Sequence, residues 1–131
     1  MKFASTKLGI DEEATEDLIE KSISKLKNEI DSFAILSIDD MNYIQALAVE
    51  HGFVVQFQSG SIDEHYEFDT YLSHPQTINL FQAYLNGIEK WQGNLSYSKI
   101  KISGVFEKVG FALGSFVRGL VMGFKDGRKK T

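Results

Sequence analysis

The sequence lacks cysteine and has one proline among its 131 residues. A chain without cysteine cannot form a disulfide framework or a thiolate zinc site, and it has no thiol nucleophile. The single proline and the lack of low-complexity runs argue against a linker between two domains. The length fits a single domain that can bury its own hydrophobic core.

Several catalytic and targeting patterns are also missing from the sequence. It has no phosphate loop, no dinucleotide-binding fingerprint, no G-x-S-x-G and no H-E-x-x-H. The N-terminus lacks the continuous apolar stretch of a signal peptide. We therefore predict a cytoplasmic protein, or one peripheral to the membrane, that needs no cofactor or metal and is not an enzyme. A small enzyme is the least favoured alternative.

Charge is distributed unevenly along the chain, although the net charge is only −4. Residues 1–31 sum to −3, residues 32–98 to −7 and residues 99–131 to +6. An acidic body joined to a basic tail indicates an interaction, either within the chain or with a partner. Nucleic acid is a poor candidate partner, because the body is acidic and the basic residues lie in an apolar tail.

Two segments predict amphipathic helices. The first runs from about Asp11 to Ile30, with apolar residues at helical spacing and acids crowded into its first turns. The second begins at Ser73, which matches a capping box with Gln76, and Gly87 occupies the position expected after its last turn. Their inward stripes are Ile19, Ile23, Leu26 and Ile30 in the first helix, and Ile78, Phe81 and Leu85 in the second.

Short apolar runs between and after these helices predict strands. The runs SFAILSI, MNYIQALAVE, FVVQFQSG and HYEFDT form a four-strand meander, and WQGNLSYSKIKI adds a fifth strand with a bulge near Ser98. His51 and Gly52 are interpreted as a two-residue hairpin loop, which places Ala48 opposite Val55. A helix over residues 41–50 is the alternative, since alanine and leucine favour helices. One face of the hairpin collects Ile44, Ala46, Ala48, Phe53, Val55 and Phe57.

These elements together predict an α+β domain over residues 1–103. Its antiparallel sheet has about five strands, the four-strand meander plus one strand after a helix, and the helices pack on one sheet face. The N-terminal and middle helices belong to this domain, and a glycine-rich C-terminal helix follows at residues 104–131.

Residues 104–131 are apolar, basic and rich in glycine, and they are too short and too charged for a membrane span. Gly110, Gly114, Gly119 and Gly123 would each cost about 0.8–1.0 kcal/mol in an exposed helix, so we expect close packing to offset them. The two glycine pairs lie on opposite sides of a helix, with Arg118 between them. The helix could dock on its own domain, pair with a second subunit, or lie on an anionic membrane surface.

The segment DEHYEFD groups several polar, titratable side chains. His65, Glu67 and Asp69 alternate on one face of a strand, where a weak metal site or an acid–base cluster can be drawn. The interpretation we favour is the solvated face of an edge strand, without a metal. An acidic sheet face is the predicted partner-binding surface. Its members are Glu50, Asp63, Glu64, His65, Glu67 and Asp69.

The central part of the chain, residues 42–91, carries a family resemblance. The residues that carry it are Tyr43 to Gln45, Gly60-Ser61, His65-Tyr66, Leu72-Ser73 and the stretch from Phe81 to Trp91. The pattern resembles small bacterial proteins that are similar to immunity proteins of toxin systems. This resemblance implies a non-enzymatic inhibitor that plugs a cognate toxin, with an acidic surface suited to a basic target.

The leading hypothesis is therefore a non-catalytic protein-binding module whose partner is a protein, such as a basic toxin. The alternative is a peripheral membrane or self-assembling protein that acts through residues 104–131. In that alternative the partner is a second copy of the chain or a membrane surface.

Overall fold

The computed structural model describes residues 1–6, 12–27 and 29–100 of the chain. Within these ranges, seven strands form one antiparallel sheet and two helices pack on it. The predicted α+β class with an antiparallel sheet is confirmed. In chain order the elements are β1 (Lys2–Ser5), β2 (Glu12–Glu13), α1 (Glu16–Leu26), β3 (Phe33–Asp39), β4 (Asn42–Val49), β5 (Gly52–Ser59), β6 (His65–Phe68), α2 (His74–Leu85) and β7 (Tyr97–Lys99).

α1 is shorter than the predicted helix from Asp11 to Ile30. Thr15 is its N-cap, and the Thr15 hydroxyl accepts a hydrogen bond from the Leu18 N–H at 3.1 Å. The two acids before it belong to β2, whose backbone pairs with β1. Ile30 lies beyond the helix and is exposed. The predicted start was wrong because β2 pairs with β1. The backbone N–H and C=O groups of β2 therefore form strand hydrogen bonds and are not available for another helical turn.

α2 begins and ends with the predicted capping residues. The Ser73 hydroxyl accepts from the Gln76 N–H at 3.2 Å, and the Gln76 side-chain oxygen accepts from the Ser73 N–H at 2.9 Å. The helix ends at Leu85, and Gly87 follows with φ +68°. The capping box and the terminal glycine are therefore confirmed.

The described strands lie in the order β2-β1-β3-β4-β5-β6-β7, and neighbours are antiparallel. The predicted meander from β3 to β6 is confirmed, and β7 joins β6 after α2. The two N-terminal strands were missed, so the predicted count of about five strands was too low. The four residues of β1, KFAS, are too few to show the alternation that marks a strand. They form a strand because they pair with β3.

The β4–β5 hairpin has a different loop from the predicted one. Val49 pairs with Gly52, so the loop consists of residues 50–51 and Gly52 belongs to β5. The Leu72 carbonyl oxygen approaches Gly52 so closely that a Cβ atom there would lie 2.5 Å from it. The glycine is therefore needed for the close approach of the Leu72 backbone to β5, and not for the β4–β5 turn. The register differs from the predicted one by an even number of residues, so the predicted apolar face is kept.

β7 pairs with β6 in a regular register, with Tyr66 opposite Lys99. The Ile100 N–H continues the pairing by donating to the His65 carbonyl at 2.9 Å. The bulge predicted near Ser98 was therefore wrong.

The hydrophobic core lies between the two helices and one face of the sheet, which we call the helix face. α1 and α2 also contact each other, and the Gln82 side chain donates to the Glu16 carbonyl at 3.2 Å. The predicted packing of helices on one sheet face is confirmed for both described helices. The largest core side chains include Phe3, Ile19, Ile23, Leu36, Ile44, Phe53 and Phe81.

The opposite side of the sheet, which we call the second face, carries the alternate residues of the same strands. Its members are Ile35, Ser37, Tyr43, Gln45, Leu47, Val54, Gln56, Gln58, His65 and Glu67.

The predicted C-terminal helix lies outside the described residues, and with it Gly110, Gly114, Arg118, Gly119 and Gly123.

Candidate functional site

The register of three neighbouring strands brings polar side chains together on the second face. Side chains two residues apart share a face, so each strand from β4 to β6 contributes a pair of them. All of them except Glu67 are buried. One cross-strand row consists of Tyr43, Gln58 and His65, and the next row of Gln45, Gln56 and Glu67.

Both glutamines of β5 contact the His65 ring. Nδ1 of His65 lies 3.1 Å from Gln58 Oε1, and Nε2 lies 2.9 Å from Gln56 Oε1. The Tyr43 hydroxyl donates to Gln58 Oε1 at 3.1 Å, and Gln56 Nε2 donates to Glu67 Oε1 at 3.0 Å. The ring is therefore held at both nitrogens within a network that includes a carboxylate.

Burial lowers the pKa of His65 to about 4, so the imidazole is neutral at pH 7. A neutral ring carries one N–H, so it donates a hydrogen bond to one of these two glutamine oxygens. Burial also raises the pKa of Tyr43 above its ordinary value.

This cluster suits a structural role better than a catalytic one. A neutral imidazole with a pKa of about 4 is a weak base, and among the described residues its ring nitrogens contact two glutamine amides. The prediction that His65 lies on a solvated face was wrong, because its side chain is fully buried. In the described ranges, no three His, Asp or Glu side chains come together as metal ligands.

The six side chains predicted to form one acidic surface are divided among several places. His65 and Glu67 lie on the second face, with Asp69 just beyond the end of the same strand. Glu64 turns the other way and contacts Tyr66. The turns at the two ends of β5 hold the remaining members, Glu50 in one and Asp63 in the other.

An aromatic cleft opens where β5, β6 and β7 meet the connection that follows α2. Its volume is about 240 Å³. The rings of Phe57, Tyr66 and Tyr97 have centroids 5.0–5.6 Å apart. Tyr97 is exposed, so the cleft is open to solvent. The lining residues are Phe57, Ser59, Glu64, Tyr66, Gln92 and Tyr97.

Pairing between distant strands assembles this cleft, so sequence reasoning missed it. Phe57 pairs with Tyr66 across β5 and β6, and β7 brings Tyr97 to the same rings. Trp91 packs edge-on against Phe57 and against Tyr84, with centroids 4.9 Å apart in both cases. The alternation around Tyr66 was visible in the sequence, whereas the position of Tyr97 depends on the pairing of β7 with β6.

Glu64 is the charged group in the lining of the cleft. Its carboxylate accepts from the Tyr66 hydroxyl at 2.6 Å and forms an ion pair with Lys99 at 3.0 Å. The hydrogen bond from Tyr66 and the contact with Lys99 lower the pKa of Glu64, and the same hydrogen bond raises the pKa of Tyr66. The carboxylate is therefore ionised and fixed beside aromatic rings, an arrangement that attracts cations.

Further acidic side chains lie at this end of the sheet. Asp39 and Asp40 lie at the β3–β4 turn, which the Gly60 N–H joins to the β5–β6 turn by donating to the Met41 carbonyl at 3.0 Å. Burial, together with the charge of Asp39, raises the pKa of Tyr84 to about 12. The described residues hold fifteen acids and six bases. The described part of the chain is therefore acidic overall.

Neither of the two described helices is long and apolar enough to cross a membrane. A scan of protein-family models and searches of curated proteins and of solved structures find no match to this chain.

Proposed function

We propose that the protein is a non-catalytic module that binds a basic protein. The aromatic cleft that contains Glu64 receives a lysine or arginine side chain of that partner. One observation carries the proposal: an ionised carboxylate is hydrogen-bonded in place within an open aromatic cleft on an acidic surface.

A cation from the partner would compete with Lys99 for this carboxylate. The side chains of Lys99 and Glu64 are 56% and 43% exposed. An ion pair between such exposed side chains contributes little to stability because water screens it, so displacing Lys99 costs little. An incoming guanidinium or ammonium group gains contacts with a carboxylate and with aromatic faces at once.

The protonation states in the cleft favour binding over catalysis. Glu64 is held ionised, and the pKa of Tyr66 is raised, so neither group is suited to exchange a proton near pH 7. His65 faces the other side of the sheet and is buried. These features support a role in which the cleft holds a side chain without changing it.

Inhibition of a bacterial toxin is the form of this function that we propose. An acidic surface suits a basic target, because complementary charge speeds association and orients the partner. Residues 42–91, which resemble immunity proteins, include Phe57, Glu64 and Tyr66 of the cleft. Because salt screens the attraction between opposite charges, the affinity of the protein for this basic partner should fall as the salt concentration rises.

Two double variants test the proposal. Glu64→Gln with Tyr97→Ala removes the charge and one ring of the cleft. Glu20→Gln with Tyr71→Ala makes the same chemical changes at an exposed acid of α1 and at an exposed tyrosine outside the cleft lining. Each variant and the wild-type protein are used to capture partners from a lysate of the source organism, and calorimetry measures the affinity for the purified captured protein.

We expect the wild-type protein and the control variant to bind one basic protein equally well. The cleft variant should bind it at least about tenfold more weakly, since it loses a charged hydrogen bond and an aromatic face. Equal affinity in all three proteins would exclude the cleft as the binding site. Inhibition is tested by co-expression, where the wild-type protein and not the cleft variant should restore growth to cells that produce the captured protein.

A further inference from the structure

The second face is buried, although both described helices pack on the helix face. Ile35 is 1% exposed, Leu47 4% and Val54 2%, which are values typical of a core. These three side chains do not belong to the cluster that α1 and α2 cover. Within the described ranges, no helix or strand lies over this side of the sheet.

A buried polar atom on the same face also needs a partner. Gln45 is 5% exposed, and its Nε2 donates to Gln56 Oε1 at 3.0 Å. Gln45 Oε1 has no donor among the described residues. A buried acceptor without a hydrogen bond is costly, so most such atoms in folded proteins have a partner. The second face therefore fits a covering segment that supplies hydrogen-bond donors as well as apolar contacts.

We propose that residues 101–131 of the same chain cover the second face. Outside the described ranges lie residues 7–11, 28 and 101–131, and the first two segments are too short to cover a sheet. The face extends over four strands, β3, β4, β5 and β6. At about 4.8 Å between neighbouring strands it is roughly 14 Å wide, and a helix of about 10 residues would cross that width. The C-terminal segment is long enough.

The described chain ends at the edge of this face. The Ile100 N–H donates to the His65 carbonyl at 2.9 Å, and the His65 side chain belongs to the second face. The residues that follow Ile100 therefore start beside the surface that they would cover.

The composition of the segment matches the face and the rest of the protein. Residues 101–131 hold seven basic and two acidic residues, against fifteen acidic and six basic residues in the described part. Opposite charge favours docking on the chain's own body. The glycines permit close approach between backbones, and Ser115 and Arg118 offer donors for a buried acceptor. This inference is independent of the aromatic cleft and of its ligand.

Nuclear Overhauser contacts in the full-length protein test the proposal. In a sample with labelled isoleucine, leucine and valine methyl groups, Leu47 and Val54 should show contacts to protons of residues 104–124. Ile19 and Ile23, which pack on the helix face, are the control and should show none. In a mixture of labelled and unlabelled chains, the same contacts should be absent from the spectrum that selects contacts between chains. Contacts found only between chains would assign the face to a second copy and overturn the proposal.

Amide exchange in two matched variants provides a second measurement. Leu47→Ala removes apolar surface from the second face, whereas Ile38→Ala removes a similar side chain at an exposed position. We expect Leu47→Ala to speed exchange in residues 104–124 at least about tenfold, and Ile38→Ala to leave it unchanged. If these amides exchange in the wild-type protein as fast as in a free peptide, or are protected only with phosphatidylglycerol vesicles, the proposal is wrong.

Discussion

His65 is the residue whose chemistry depends most on its surroundings. In the sequence it is one of several polar side chains in DEHYEFD, but the sheet buries it between Gln56 and Gln58. Removal from water disfavours the imidazolium, which lowers the pKa of His65 to about 4 in the folded protein. The unfolded chain has no such environment. The two states therefore bind protons differently, and stability depends on pH.

We expect the protein to lose stability as the pH falls from 6.5 to 4. The pKa of His65 is about 4 in the folded state against 6.5 for the ordinary group, so in this range the unfolded state binds a proton and the folded state does not. The contribution of the neutral His65 ring to the free energy of unfolding is fully present above pH 6.5. At about 1.36 kcal/mol per pH unit, the loss from this one group reaches about 3 kcal/mol at pH 4. Urea titrations at a series of pH values measure the free energy of unfolding.

Two histidine variants separate this effect from the titration of carboxylates. His65→Gln removes the buried group and should flatten the profile between pH 6.5 and 4. His51→Gln changes an exposed histidine in the β4–β5 loop and should keep the wild-type slope. A His65→Gln profile as steep as that of the wild-type protein would show that His65 is not the cause.

At the scale of elements, the β4–β5 hairpin is decided by what packs beside it. The pair His51-Gly52 has the composition of a hairpin loop, yet Gly52 is a strand residue. The reason is Leu72, which exchanges two backbone hydrogen bonds with Phe53 at 2.8 and 2.9 Å and so passes close to Gly52. A glycine in a sequence signals a need for space or for unusual backbone angles, and only the packed structure shows which position creates that need.

We predict that Gly52→Ala destabilises the protein by about 3 kcal/mol or more. Gly52 has φ +141°, and its new Cβ would lie 2.5 Å from the Leu72 carbonyl oxygen, so the backbone must move. Gly87→Ala is the matched control, because φ is +68° and a Cβ there has nothing within 4 Å. It should cost only the backbone preference, about 1–2 kcal/mol. Chemical denaturation compares the two, and equal losses would refute the role given to Leu72.

At the scale of the whole molecule, the core joins segments from both ends of the described chain. Phe3 of β1 packs edge-on against Phe81 of α2, with ring centroids 6.4 Å apart. Trp91, the only tryptophan in the sequence, packs on Phe57 and Tyr84 near the opposite edge of the sheet. Because these contacts belong to one continuous core, we expect the described part of the chain to unfold as a unit.

Phe3→Ala tests this unity. We expect the substitution to cost about 3–5 kcal/mol, since it leaves a cavity in the core beside Phe81. Far-ultraviolet circular dichroism and the fluorescence of Trp91 should shift to the same lower midpoint. Ile38→Ala, at an exposed position, should change stability by less than about 0.5 kcal/mol. An unchanged fluorescence midpoint in Phe3→Ala would mean that the N-terminal strand unfolds separately.

Prediction from the sequence succeeded where the deciding contacts are local. The capping box of α2 involves residues three apart, and the alternation in β4 and β5 places their core side chains without reference to the rest of the chain. It failed at β1, at the hairpin loop and at the aromatic cleft. In each of these places the deciding partner is distant in sequence: β3 for KFAS, Leu72 for Gly52, and β6 for Tyr97.

The amino-acid sequence by itself therefore determined α2 and its caps, the meander from β3 to β6 and the choice of side chains that face the helices, because hydrophobic periodicity and capping act over a few residues. Only the tertiary structure decided that the first residues form a strand, that His65 is buried and neutral, and that Tyr97 meets Tyr66 beside Glu64. Those outcomes depend on strand pairing, whose register is set by the burial of whole faces and not by any local pattern.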